Sequence, residues 1–134
     1  MSILEQMQAM FDDWEANYSR GDVEASVVAY TEDGAIYSPY GPAAVGRAAI
    51  RETHKEWLAA GEMNKKIEVL DARGEGRLAY CLAAYSGDFE QDDGSIVTES
   101  GISLNIALKQ ADGSWKLYIS SLNSDTPPLA EASA

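Results

Sequence analysis

Residues 96–123, IVTESGISLNIALKQADGSWKLYISSLN, contain two long strand-like runs separated by the turn sequence Asp112-Gly113. In the first run, large apolar residues occupy positions 102, 104, 106 and 108, and smaller or polar residues lie between them. A period of two is typical of a strand that has one face against a core, and we expect the even-numbered face to be buried. The segment therefore predicts an antiparallel sheet.

Two further strand-like runs, residues 63–73 and 78–90, precede this segment. The runs are separated by short sequences rich in glycine and aspartate, which are typical of tight turns. Four long strands are therefore expected to follow one another as a meander. Gly87 and Gly101 lie inside two of the strands, where glycine often permits a bulge or a bend, so we expect a strongly curved sheet.

The N-terminal segment has helical periodicity instead. Ser2 and Glu5 form a capping-box pattern, and apolar residues then recur at intervals of three and four as far as Gly21. Asp22 can cap a second, shorter helix. Two consecutive helices are therefore predicted before residue 30.

The connection to the meander contains one more strand and one more helix. Asp33-Gly34 predicts a turn, and residues 35–38 predict a short strand that is stopped by Pro39. Residues 47–60 have apolar residues at helical spacing, and Gly61 provides a C-terminal stop. The sequence thus predicts an α+β domain over residues 1–125, with three N-terminal helices on a curved antiparallel sheet that forms a cone with an internal pocket. Residues 126–134 are expected to form a loose tail.

The composition limits the classes of partner. The formal net charge is −12, which disfavours nucleic acid and anionic membranes as partners because both bind clustered Lys and Arg. No apolar run approaches the length of a membrane span, and the N-terminal residues resemble neither a secretory signal nor a transit peptide. The single cysteine, Cys81, suits a reducing compartment. We therefore expect a cytoplasmic protein.

Several local sequences carry a resemblance to a known family. They are the Trp14 to Tyr18 segment followed by Arg20-Gly21-Asp22, the sequence AYTEDGA at 29–35, GRAAIR at 46–51, and DGSWKL at 112–117. With the order of predicted elements, they make residues 5–125 similar to the nuclear transport factor 2-like superfamily, in its SnoaL-like and ketosteroid-isomerase-like branch. The resemblance implies a cone whose cavity some members use for catalysis and others for binding or assembly.

The residues that carry ketosteroid isomerisation in that branch are not matched. Ser38 stands before Pro39 where the branch has a basic Asp, and Trp14 stands at the position of the oxyanion-binding Tyr. Residues 95–111 contain only one carboxylate, Glu99, and no Asp. The resemblance therefore implies a protein that is not an authentic ketosteroid isomerase. SnoaL-like cyclases have an acid near the end of the last strand, where Asp125 stands.

The remaining candidates come from residue chemistry. His54, the only histidine, shares a helical stripe with apolar residues, so it should point inward and can exchange protons. We predict His54 or Asp125 as proton acceptor, and Tyr18 or Tyr37 as hydrogen-bond donor. Large side chains with polar tips are typical of a pocket lining. The predicted lining residues are Trp14, Trp57, Tyr85, Glu99 and Asn123. In its strand, Glu99 has the parity of the outward-facing residues, so we expect it to point outward unless Gly101 introduces a bulge. In the last strand, the odd-numbered side should carry Asn123 and Asp125 to the pocket mouth.

Two functional hypotheses remain open at this point. The first is an enzyme that acts on a small, largely apolar, carbonyl-bearing compound without metal or cofactor, by proton transfer, cyclisation, dehydration or isomerisation. The second is a non-catalytic module for ligand binding or assembly. The resemblance also implies a homodimer through the outer sheet face, for which Ser103, Asn105 and Ala107 are the predicted contact positions.

Overall fold

The structure is a computed structural model that describes residues 1–125. Its elements in chain order are α1 Ile3–Ser19, α2 Val23–Val27, β1 Tyr30–Tyr37, β2 Ala44–Val45, α3 Arg47–Ala59, β3 Glu62–Glu75, β4 Leu78–Glu90, β5 Ile96–Lys109 and β6 Trp115–Ser124. The predicted α+β architecture, with three N-terminal helices packed on a sheet, is confirmed. The predicted tail, 126–134, lies outside the described residues.

The caps that the sequence predicts are present. The Ser2 hydroxyl accepts from the Glu5 backbone N–H, and the Glu5 carboxylate accepts from the Ser2 backbone N–H. The Asp22 carboxylate accepts from the Ala25 N–H at the start of α2. Each contact satisfies a backbone donor that a helix start would leave without a partner.

The six strands form one sheet in the order β2-β1-β6-β5-β4-β3. The β3 to β6 meander is antiparallel as predicted, but β1 pairs with β6 in parallel, so the sheet is mixed. The predicted turn at Asp33-Gly34 is wrong, because both residues lie inside β1 at a β-bulge. A Cβ atom on Gly34 would lie 3.0 Å from the Thr31 carbonyl oxygen, a tight contact, so the bulge favours glycine at this position.

The prediction of which sheet face is buried is also wrong. Ser103, Asn105 and Ala107 lie in the core, whereas Ile102 and Leu104 are exposed on the outer face. The helices supply the large core side chains, including Phe11, Trp14 and Tyr18 of α1, and little room is left for large residues on the sheet. Accordingly, β4 contributes Ala79, Cys81 and Ala83 to the same core. The alternation in the sequence shows that successive side chains point to opposite faces of the sheet, but packing decides which of the two faces is buried.

Candidate ligand-binding site

A cavity of about 500 Å³ opens beside the C-terminal end of α3. Its volume lies within the range usual for small-molecule sites, about 300–1,000 Å³. The apolar and aromatic part of its wall includes Trp57, Tyr85, Phe89, Val97 and Leu122. The charged part includes Glu62, Lys65 and Glu99. The cavity therefore combines an apolar body with a small number of polar groups.

A β-bulge near the start of β3 turns two charged side chains to the interior. Met63 pairs with Asp88 and Lys66 pairs with Ser86, so two residues of β3 lie opposite Gly87 alone. Residues three apart in a regular strand point to opposite faces, and the extra residue at the bulge brings Glu62 and Lys65 to the same one. Both side chains line the cavity.

The bulge is supported by its neighbours. Asn64 has a backbone φ of 54°, a left-handed conformation that asparagine tolerates better than most residues. Its side-chain amide donates to the Asp88 carboxylate at 3.0 Å. A Cβ atom on Gly87 would lie 2.3 Å from Glu62 Oε2, so only glycine leaves room for that carboxylate. Asn64 and Gly87 therefore hold the backbone and the space that the charged pair needs.

Glu62 and Lys65 form a buried ion pair. Lys65 Nζ donates to Glu62 Oε2 at 3.4 Å, and their side chains are only 9% and 6% exposed. The other Glu62 oxygen accepts from the Tyr18 hydroxyl. Burial, and then the Glu62 carboxylate, raise the pKa of Tyr18, so this hydroxyl stays protonated. Lys65 Nζ also lies 5.3 Å from the ring centre of Tyr85 and 6.0 Å from that of Trp57.

Two tyrosine hydroxyls meet at the cavity wall. The Tyr85 and Tyr40 hydroxyl oxygens are 2.7 Å apart, and Tyr40 lies on the loop that follows β1. Burial and the hydrogen bond with Tyr40 raise the pKa of Tyr85, with smaller contributions from Asp125 and Glu99. A Cβ atom on Gly101 would lie 2.6 Å from the Tyr85 hydroxyl oxygen, so Gly101 provides the space for this group.

A smaller inner chamber of about 40 Å³ adjoins the cavity. The two share Trp57, Lys65, Tyr85 and Leu122 as wall residues. The rest of its wall comes from Phe11 and Trp14 of α1, from Tyr30, Ile36 and Ile67 of β1 and β3, and from small polar side chains of β5 and β6: Ser103, Asn105 and Ser120. Lys65 therefore stands at the junction between the outer cavity and the inner chamber.

His54 lies in the layer behind this wall and is fully buried. Its ring packs against those of Trp14, Tyr18, Tyr30 and Trp57, at centre-to-centre distances of 5.4–6.1 Å. Its Nδ1 lies 2.8 Å from the Ser26 hydroxyl oxygen. Burial, and then the Lys65 ammonium, lower the pKa of His54 to about 4, so the imidazole is neutral at pH 7.

The structure brings only some of the predicted residues together. Trp57 and Tyr85 line both compartments, Trp14 lines the inner one, and Glu99 lines the outer one. The outward orientation expected for Glu99 from parity is wrong, because the odd-numbered face of β5 is the inner one. Tyr37 is 45% exposed on β1 and lines neither compartment, whereas His54 and Tyr18 are buried.

The expected position of Asn123 is also wrong. A β-bulge in β6, between the Ala107–Leu117 and Ile106–Ile119 pairs, reverses the parity of that strand. Leu122 consequently faces the cavity, whereas Asn123 is exposed and donates to the Ile102 carbonyl oxygen at 3.4 Å. Asp125 is exposed at the strand end, where its carboxylate accepts from the Ser100 hydroxyl at 3.3 Å. The predicted acid–base groups therefore do not converge on one point.

Sequence reasoning missed Glu62 and Lys65. Their spacing places them on opposite faces of a regular strand, and the bulge that unites them has only weak signals in the sequence, Asn64 on one strand and Gly87 on the next. Within residues 1–125, no cluster of three or more His, Cys, Asp or Glu side chains is arranged to hold a metal ion. No helix among those residues is long and apolar enough to cross a membrane.

The fold is similar to that of many solved structures. A ketosteroid isomerase-like protein from Erwinia carotovora atroseptica is 22% identical, with a TM-score of 0.79 and coverage of 92% of this chain and 97% of that chain. A nuclear transport factor 2-like protein with a cystatin-like fold from Novosphingobium aromaticivorans is 20% identical, with a TM-score of 0.76 and coverage of 96% of this chain and 86% of that chain. This chain has the nuclear transport factor 2-like fold.

A protein of unknown function from Nostoc punctiforme has the same fold, with 20% identity, a TM-score of 0.73 and coverage of 92% of both chains. No protein-family model and no curated protein matches the sequence. Identities near 20% carry the nuclear transport factor 2-like fold but no activity, so a functional conclusion has to rest on the site itself.

Proposed function

We propose that this protein binds a small, largely apolar compound carrying a carbonyl-type oxygen. The observation that carries the proposal is Lys65 on the cavity wall, whose side chain is 9% exposed and whose ammonium lies over the rings of Trp57 and Tyr85. An ammonium has three N–H donors, and Glu62 occupies one of them. The others are suited to an oxygen acceptor on a ligand whose apolar body contacts the surrounding rings.

The contribution of Lys65 to binding follows from its charge. A hydrogen bond to a charged group contributes about 1.5–3 kcal/mol, which corresponds to roughly 10- to 100-fold in affinity. The apolar wall binds hydrocarbon of many shapes, so Lys65 is the group that selects for an oxygen.

The test compares acetophenone, benzoate and ethylbenzene by isothermal titration calorimetry. The test variant is the double change Lys65→Met with Glu62→Gln, which removes the ammonium without leaving a buried unpaired carboxylate. We expect the wild type to prefer acetophenone or benzoate over ethylbenzene, and the double variant to lose that preference. Lys66→Met, which changes an exposed lysine of the same strand, is the matched control and should keep it. Equal binding of all three compounds by the wild type would exclude the proposal.

Cofactor-free proton transfer next to the carbonyl is the second candidate. It is favoured by Glu99, a carboxylate on the wall that also carries Lys65 and Tyr85. In this scheme Lys65 stabilises the developing oxyanion and Glu99 accepts the proton, in place of His54 or Asp125. Exchange of the acetophenone methyl protons in D₂O, followed by NMR, should require Glu99 and should persist in the exposed-residue control Glu68→Gln. Exchange that survives Glu99→Gln but not His54→Gln would indicate His54, and not Glu99, as the proton acceptor.

We also propose a homodimer through the outer sheet face, since the nuclear transport factor 2-like fold accommodates oligomerisation as well as ligand binding. Cross-strand pairs place Leu78 beside Leu108, Tyr80 beside Ile106 and Leu82 beside Leu104 on that face. Charged residues of β3, including Asp71 and Arg73, border this apolar patch. An apolar centre with a charged rim is typical of an interface between protein chains. A cytoplasmic location stays a prediction.

A further inference from the structure

Tyr18 is connected to the cavity wall through Glu62. The Tyr18 hydroxyl donates to Glu62 Oε1, and the second oxygen of the same carboxylate accepts from Lys65 Nζ at 3.4 Å. Tyr18 is almost completely buried and lines neither the outer cavity nor the inner chamber, whereas Glu62 and Lys65 both line the outer cavity. A phenol, a carboxylate and an ammonium therefore form one chain of hydrogen bonds, and its last member lies on the cavity wall.

The position of the Tyr18 ring is fixed by its neighbours. The ring stacks on that of Trp14, with the centres 4.6 Å and the planes 13° apart, and it meets the His54 ring edge to face at 5.4 Å. An aromatic side chain packed in this way keeps one rotamer, because a close-packed core leaves no room for another. The hydroxyl of α1 is therefore held at a set place beside β3.

Glu62 depends on this hydroxyl for its own orientation. Its side chain is 6% exposed, and a buried carboxylate is costly unless its oxygens accept hydrogen bonds. Tyr18 occupies Oε1, so Oε2 is the oxygen that accepts from Lys65. That contact, at 3.4 Å, is longer than the usual N–H···O bond. Glu62 thus engages one Lys65 donor, and only loosely.

Loss of the Tyr18 hydroxyl would change how the Lys65 donors are divided. Glu62 Oε1 would be left buried without its donor, and Lys65 is the other donor already bonded to this carboxylate. The carboxylate would then accept from a second N–H of the ammonium and draw it closer, since their attraction is strong away from water. Fewer Lys65 donors would remain for a ligand oxygen, while the apolar wall would be unchanged.

We infer that Tyr18 is a positioning residue of the ligand site, which acts through Glu62 to keep the Lys65 ammonium available to a ligand oxygen. This inference rests on the proposed function, because it concerns the oxygen that Lys65 binds. It gives Tyr18 an indirect role in place of the hydrogen bond to the ligand that the sequence predicts.

The experiment measures the preference for acetophenone over ethylbenzene, as the ratio of their dissociation constants in isothermal titration calorimetry. Tyr18→Phe keeps the packed ring and removes the hydroxyl alone. We expect the preference to fall about threefold or more, and the affinity for ethylbenzene to change less than about twofold, because ethylbenzene contacts only the apolar wall. Tyr118→Phe removes the hydroxyl of a half-buried tyrosine that lines neither compartment, and should keep the wild-type preference.

A second measurement uses the wild type alone, so it does not depend on how well a variant folds. A buried hydroxyl proton bonded to a carboxylate exchanges slowly with water, and its NMR resonance can be assigned through contacts with its own ring protons. At saturating acetophenone, we expect the ¹⁵N resonance of the Lys65 ammonium to shift and the Tyr18 hydroxyl proton to show no nuclear Overhauser contact with the ligand. Such a contact would overturn the inference, because Tyr18 would then touch the ligand directly.

The outcomes separate the two proposals. If the wild type prefers acetophenone and Tyr18→Phe keeps the whole preference, the positioning role is overturned and the proposed function stands. An equal loss of affinity for both compounds in Tyr18→Phe has the same meaning, since it indicates a general effect on packing. A wild type without any preference would overturn both proposals.

Discussion

Removing the Lys65 ammonium is expected to destabilise the protein more than removing the whole ion pair. In the variant Lys65→Met, the Glu62 carboxylate remains buried with the Tyr18 hydroxyl as its remaining partner in this network. Breaking a buried pair from one side costs about 3–5 kcal/mol. Unfolding free energies of domains are about 5–15 kcal/mol, so this one change would remove a large fraction of the total.

The double variant with Glu62→Gln removes the unpaired charge and lets the amide oxygen accept from Tyr18. We expect it to lie within about 1–2 kcal/mol of the wild type, because neutral replacements of buried pairs are often close to neutral. Urea unfolding followed by circular dichroism measures both variants, and Lys66→Met should stay within about 0.5 kcal/mol of the wild type. A double variant that loses the sum of the two single losses would refute the reasoning, since it would show that the two charges are not coupled.

Three further predictions concern the core, the bulge and the outer face. His54 has a folded-state pKa of about 4, below the ordinary 6.5, so its contribution to stability is present above pH 6.5 and is lost as the pH falls toward 4. The wild type should therefore lose about 2 kcal/mol more than His54→Gln between pH 7.5 and pH 5.0 in urea unfolding, and parallel pH profiles would contradict this. Gly87→Ala places a Cβ 2.3 Å from Glu62 Oε2 and should cost about 1–3 kcal/mol by urea unfolding. Gly41→Ala, whose Cβ would meet nothing within 4 Å, should stay near the wild type, and similar losses in the two variants would contradict the packing argument. Leu104→Lys should convert the proposed homodimer to a monomer in light scattering at micromolar concentration, and a wild type that is already monomeric would exclude the interface.

The inner faces of the sheet show why periodicity leads to the right elements and the wrong orientation. The alternation in β5 arises because successive side chains point to opposite faces, and this property of a strand is readable in one dimension. Whether Leu104 or Asn105 meets the helices depends on how much volume the helices already fill. The rings of α1 fill most of it, so the small residues face inward and the large ones face out.

The candidate site depends even more strongly on tertiary structure. His54 and Trp14 are readable as inward-facing residues because helical spacing survives packing. The Glu62–Lys65 pair cannot be read from the sequence in this way, because the two side chains share a face only at the bulge beside Gly87. Asn123 faces away from the cavity because of another bulge, in β6. A bulge changes the parity of every later residue in its strand, so a local irregularity moves side chains across the sheet.

The amino-acid sequence by itself thus determined the class of fold, the order of helices and long strands, the helix caps and the acidic surface. Each of these depends on neighbours within a few residues or on composition alone. The tertiary structure decided the parallel pairing of β1, the buried face of the sheet, the Glu62–Lys65 pair and the chamber beside Trp14. Each of these depends on contacts between residues far apart in the chain, whose space and register are set only when the whole core is packed.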